Sequence, residues 1–108
     1  MPDTPNPLNV LLIVGSSRPG RTSDLVQPWL TGMLGADPRF DLNVEDLRDW
    51  PLPLFQEQPE TMGNPASPDY SDPLIGQWNK VVTEADVYVF LTPEYNHSVP
   101  AALKNAID

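Results

Sequence analysis

The sequence predicts an α/β domain built on a doubly wound parallel sheet of strand order 2-1-3, and three observations support that. Short apolar runs alternate with segments of helical period, the pattern produced by parallel strands joined through helices. The runs "LNVLLIV" (8–14) and "DVYVFL" (86–91) are apolar on both faces, as strands covered on both sides must be. The run "FDLNVEDL" (40–47) instead alternates Phe40, Leu42 and Val44 with polar residues, as a more exposed strand does.

The first strand ends at Gly15, and a helix follows in "TSDLVQPWLTGMLGA". Its apolar residues Leu25, Val26, Trp29, Leu30, Met33 and Leu34 recur at helical spacing, and Gly35 offers a stop. Pro28 lies inside that pattern and predicts a kink or a late start. After the second strand, residues 48–71 form a proline-rich connection with no usable period, which reads as a functional lid or a floppy loop. Asp72 and Pro73 then read as N-cap and first position of a helix carrying Leu74, Ile75, Trp78, Val81 and Val82. The third strand is followed by a last helix, "AALKNAI", opened at Ser98 or Val99 with Pro100.

The resulting order is β-α-β-loop-α-β-α, with right-handed crossovers. The chain reads as a single domain over 1–108, with a flexible N-terminus at 1–7. No later segment pairs with the second edge of "DVYVFL", and an apolar strand edge without a partner is a liability. The sequence is therefore expected to be the N-terminal portion of a C-terminally truncated domain.

The composition narrows the function. A net charge of -9 argues against nucleic acid and against an anionic membrane surface. With no cysteine, thiol redox chemistry, disulfides and iron–sulfur clusters are excluded, so a redox role would need an organic cofactor. The N-terminal "MPDTPNP" has no basic region and "VLLIV" is too short for a signal core, so a cytoplasmic location is expected.

Two loops carry chemistry. "GSSRPGRTSD" joins the first strand to the first helix, where backbone N–H groups and the helix dipole favour an anion. It adds hydroxyls at Ser16, Ser17, Thr22 and Ser23. It also holds Arg18 and Arg21, two of only six basic residues in an acidic chain. The P-loop pattern ending in Gly-Lys-Ser/Thr is absent, and so is the dinucleotide pattern of three spaced glycines. The alternative is a polar turn whose hydroxyls only cap the helix.

The second loop, "TPEYNHS", leaves the third strand. In the order 2-1-3 the first and third strands are neighbours whose helices lie on opposite faces, and ligands of open α/β sheets bind at that switch point. Tyr95, Asn96 and backbone amides there suit a flat aromatic ring. Tyr95 and Asn96 also have a plain structural reading, bracing the loop, and Glu94 reads as solvated or as a turn cap. His97, the only histidine, reads first as a surface hydrogen-bonding residue. Without a partner histidine no metal site is expected.

"GSSRPGRTSDLV", "DLRDWPLPLF" and "TPEYNHSVPAALKNAID" together resemble the NADPH-dependent FMN reductase family of the flavodoxin-like superfamily, which includes chromate, quinone and azo-dye reductases. The resemblance runs from about Leu8 to Asp108. It implies a flavodoxin-like fold and non-covalent FMN, with Ser16, Arg18, Arg21 and Ser23 on its phosphate and Pro93, Glu94, Tyr95 and Asn96 along its isoalloxazine ring. It further implies NADPH or NADH as co-substrate, a small-molecule electron acceptor, and a homodimer or higher oligomer. No side chain is assigned as catalytic acid or base, because hydride transfer to a flavin needs none from the residues identified. "PLPLF" would border the substrate side. The remaining alternatives are a flavodoxin-like electron carrier and an inactive fragment of a reductase.

Overall fold

A computed structural model describes residues 6–108. The expected flexible segment 1–7 therefore lies, except for its last two residues, outside the described residues. Strands β1 (Leu8–Val14), β2 (Phe40–Asp46) and β3 (Val87–Leu91) alternate with helices α1 (Ser23–Gly35), α2 (Pro59–Met62), α3 (Pro73–Glu84) and α4 (Ala101–Ile107). The sheet is parallel throughout, in the order β2-β1-β3. Its register runs from Leu8 opposite Phe40 to Val14 opposite Asp46, and from Val10 opposite Val87 to Val14 opposite Leu91.

The centre of this sheet is β1, and residues Val10 to Val14 are all buried. Alternation along the strand divides them between two layers. Leu11 and Ile13 join Leu47, Trp78 and Leu103 in a core under α3 and α4. Val10, Leu12 and Val14 point to the other face, where α1 lies and Gly35 approaches Leu42. Helices on both faces make the sheet doubly wound, as its sequence pattern predicts.

Helix α1 begins at Ser23 and runs through Pro28, so there is no late start. Of its apolar stripe, Leu30 and Leu34 are half-buried while Leu25, Trp29 and Met33 are exposed. Helix α3 begins as its sequence dictates: Pro73 occupies the first turn, and the Asp72 carboxylate accepts the Leu74 N–H at 2.8 Å. Helix α4 covers Ala101–Ile107, the expected "AALKNAI", with Pro100 rather than Ser98 or Val99 at its N-cap. The cause is local. Both backbone groups of Ser98 are spent on Tyr95, so the first helical bond runs from the Lys104 N–H to the Pro100 carbonyl.

The proline-rich connection is irregular apart from a 3-10 turn at Leu47–Asp49 and the single turn of α2. Its first part is anchored to α4. The Asn105 amide donates to the Pro53 carbonyl and accepts from the Phe55 N–H, both at 2.8 Å. Trp50 stacks edge-on against Trp78, whose indole N–H donates to the Ala106 carbonyl. These contacts fix residues 50–55 beside α4, against the reading of a floppy loop for that stretch.

Candidate functional site

The carboxyl ends of β1 and β3 are neighbours, so the loops that leave them emerge side by side. The Gly15 N–H donates to the Leu91 carbonyl at 2.9 Å, carrying the strand pairing one residue into the first loop. Beneath Gly15 sits Leu103 of α4, only 1% exposed. A Cβ at position 15 would stand 3.0 Å from the Leu103 Cδ2 and 3.3 Å from the Leu91 carbonyl oxygen, so this close approach needs glycine. A few residues on, Gly20 turns the loop toward α1 at a φ of 69°.

Ser16 is fully buried. Its hydroxyl shares a 2.8 Å hydrogen bond with the Tyr95 hydroxyl and accepts the Arg18 N–H at 3.3 Å. The Arg18 guanidinium lies over the Tyr95 ring, 4.1 Å from its centroid, in cation–π geometry. Thus the two loops that sequence reasoning marked are joined through Ser16, Arg18 and Tyr95. Among the described residues, no hydrogen bond engages the backbone N–H groups of Ser17, Gly20, Thr22 or Ser23. Those donors and the exposed Arg18 suit an anion.

Arg21 is placed differently from Arg18. Its side chain is 2% exposed and makes a bidentate pair with Asp46, one arm at 2.6 Å. Further bonds run to the Ser16 carbonyl at 2.5 Å and to Asp24 at 3.1 Å. Hydrogen bonds from Arg21 hold the Asp46 carboxyl below the usual carboxylate range, against the opposing effect of burial. Arg48 adds weaker contacts to Asp46 and Asp24, at 3.6 and 3.7 Å. Arg21 thus braces the loop from below, while Arg18 stays at its mouth. Ser23, also expected at a phosphate, is buried at the start of α1.

In the second loop, Tyr95 and Ser98 exchange both backbone hydrogen bonds at 3.0 Å, closing a two-residue turn. Asn96 and His97 form its centre with φ of 53° and 63°, the positive values that a type I′ turn requires. The Glu94 carboxylate accepts the His97 N–H and so caps this turn, one of its two anticipated roles. The His97 side chain is entirely exposed. Because a side chain in left-handed backbone is strained, His97→Gly is expected to stabilise the fold by up to about 1 kcal/mol. Urea unfolding would measure the gain.

Two features of the site escaped sequence reasoning. Asp46, the partner of Arg21, ends β2, and the order 2-1-3 places that strand end beside the first loop. An acid there was the available signal. The approach of Leu103 to Gly15 had no signal beyond the glycine itself. A cavity of about 200 Å³, lined by Asn9, Asp41, Asn43 and Glu84 among others, opens at the opposite, amino ends of the strands. Among the described residues, no group of acidic, histidine or cysteine side chains is placed to hold a metal ion. No helix among them is long and apolar enough to cross a membrane.

Comparison with known proteins points the same way as the geometry. Residues 8–108 match the family model described as NADPH-dependent FMN reductase. An NAD(P)H-dependent FMN reductase of Schizosaccharomyces pombe is 36% identical over 100 residues, covering 92% of this chain and 48% of its own. One of Saccharomyces cerevisiae is 33% identical over 110 residues, covering 94% of this chain and 56% of its own. A quinone reductase of Pseudomonas putida is 32% identical over 103 residues, covering 93% and 48%. The chain spans about half the length of these curated relatives.

Proposed function

The chain belongs to the NADPH-dependent FMN reductase family, and from that premise we propose that its two-loop crevice holds FMN in an NAD(P)H-dependent oxidoreductase. The observation that supports this reading most directly is the junction of the loops at the switch point. There an exposed guanidinium and free backbone N–H groups stand beside an aromatic residue of the neighbouring loop. The donor set fits a phosphate.

In this reading Ser16, Arg18, Arg21 and Ser23 make the phosphate end of the site. Arg18 meets the anion, and Arg21 acts from behind by fixing the Ser16 carbonyl. Pro93, Glu94, Tyr95 and Asn96 form the wall along the flavin ring. When bound, FMN supplies the two-electron chemistry by which NADPH or NADH reduces a small acceptor such as a quinone or a flavin. The side chains bind and orient, and none of them serves as acid or base. The reading includes a homodimer or higher oligomer, which the sequence resemblance supports, and a cytoplasmic location, which rests on the N-terminal sequence.

Arg18→Ala tests this reading. A charge-assisted hydrogen bond to phosphate contributes about 1.5–3 kcal/mol. FMN affinity is therefore expected to fall roughly tenfold or more in a fluorescence titration. Unchanged affinity would refute the phosphate assignment. Anaerobic NADPH should bleach the bound flavin of the parent protein, and a flavin that stays oxidised would point to an electron carrier instead.

A further inference from the structure

We propose that Tyr95 serves the anion end of the crevice: its hydroxyl, held by Ser16 and flanked by Arg18, donates to the ligand's phosphate. The inference rests on the FMN reading above and changes the place of one residue within it.

Three observations carry it. The Ser16 hydroxyl, expected to touch a phosphate, is fully buried, so whatever approaches the loop from solvent does not meet it first. The group lying on it is the Tyr95 hydroxyl, at 2.8 Å, and Tyr95 is itself half-exposed. The Arg18 guanidinium is 4.1 Å from the centroid of the same ring. A phenol held beside the loop's outward cation is at the charged end of the crevice.

Proton counting permits a donating role. Ser16 accepts the Arg18 N–H on one lone pair and has a single proton to give. With that proton donated to the Tyr95 oxygen, the phenolic proton is left for an outside acceptor. Backbone N–H, serine and tyrosine then form one chain of hydrogen bonds, each member polarising the next toward the anion. The guanidinium over the ring favours a phosphate at the same place through its charge. The type I′ turn at Asn96 and His97, closed by both bonds between Tyr95 and Ser98, holds the tyrosine backbone in position.

The test titrates the full chain with FMN and with riboflavin, which lacks the phosphate, and compares it with Tyr95→Phe and Ser16→Ala. Tyr95→Phe keeps the ring and removes only the hydroxyl. Its FMN affinity should fall about tenfold while riboflavin affinity is unchanged. Ser16→Ala should lose FMN affinity in the same selective way, and the double variant should lose little more than either single one. Equal losses for both flavins in Tyr95→Phe, or no loss, would overturn the inference while leaving the FMN reading intact. A parent protein that binds riboflavin as tightly as FMN, or binds neither, would overturn both.

Discussion

Arg21→Ala is expected to destabilise the fold by about 3 kcal/mol, the cost of leaving one partner of a buried ion pair behind. Asp46, with a side chain 16% exposed, would keep only the Arg48 backbone N–H at 2.9 Å and the longer contact to the Arg48 guanidinium, and the Ser16 carbonyl would lose a donor. The exposed pair of Arg39 and Asp37 provides the contrast: its loss should cost less than about 1 kcal/mol. Asp46→Asn should share much of the Arg21 loss, so the double variant should fall well short of the sum in urea unfolding.

The same pair sets an acid limit. The folded Asp46 carboxyl titrates below its unfolded value of about 3.9. Its contribution is therefore fully present above that pH and is lost as pH falls through the folded value. Asp37, which Arg39 holds at about 2, titrates in the same region, but the arginine that holds it is largely exposed. Stability should thus decline below about pH 4, and Asp46→Asn should flatten part of that decline.

The first strand was legible because burial on two faces leaves a continuous apolar run, as at Val10–Val14. The equally apolar run Val87–Leu91 does form a strand, but it lies at the edge of the described sheet with Val87, Tyr88 and Phe90 exposed, not covered on both sides as its sequence suggests. The start of α3 was legible because Asp72 and Pro73 each satisfy a separate requirement of a helix N-terminus. Where two local preferences competed, the sequence was ambiguous. Ser98 and Val99 both offered a cap for α4 ahead of Pro100, but the turn closed by Tyr95 uses the Ser98 backbone and Pro100 itself becomes the N-cap. In the first loop, the residue types marked an anion site, but type does not say where a long side chain points. Arg18 and Arg21 are equivalent in sequence. They differ because Asp46 of a neighbouring strand captures one of them. That distinction depends on tertiary position.

Leu103→Ala is the other large effect expected, a loss of roughly 2–5 kcal/mol for a truncated core leucine. Leu103 is 1% exposed and packs with Leu11, Ile13 and Trp78, so deleting its side chain leaves a cavity that the surrounding strand and helices can only partly close. The residue also forms the floor under Gly15, which links core and site. Gly15→Ala alone is expected to destabilise, because its Cβ would press on the Leu103 Cδ2 at 3.0 Å. In a Leu103→Ala background that atom is gone; the Leu91 carbonyl at 3.3 Å still crowds the new methyl group, and the Cβ of residue 103 at 3.4 Å is in ordinary contact. The cost of Gly15→Ala should therefore be smaller in the double variant than in the parent, a coupling that urea unfolding of the four proteins would measure. Strict additivity would mean that the first loop does not rest on α4. A marked shortfall from additivity would make Leu103 the point where the core holds the first loop against the helix that follows the second.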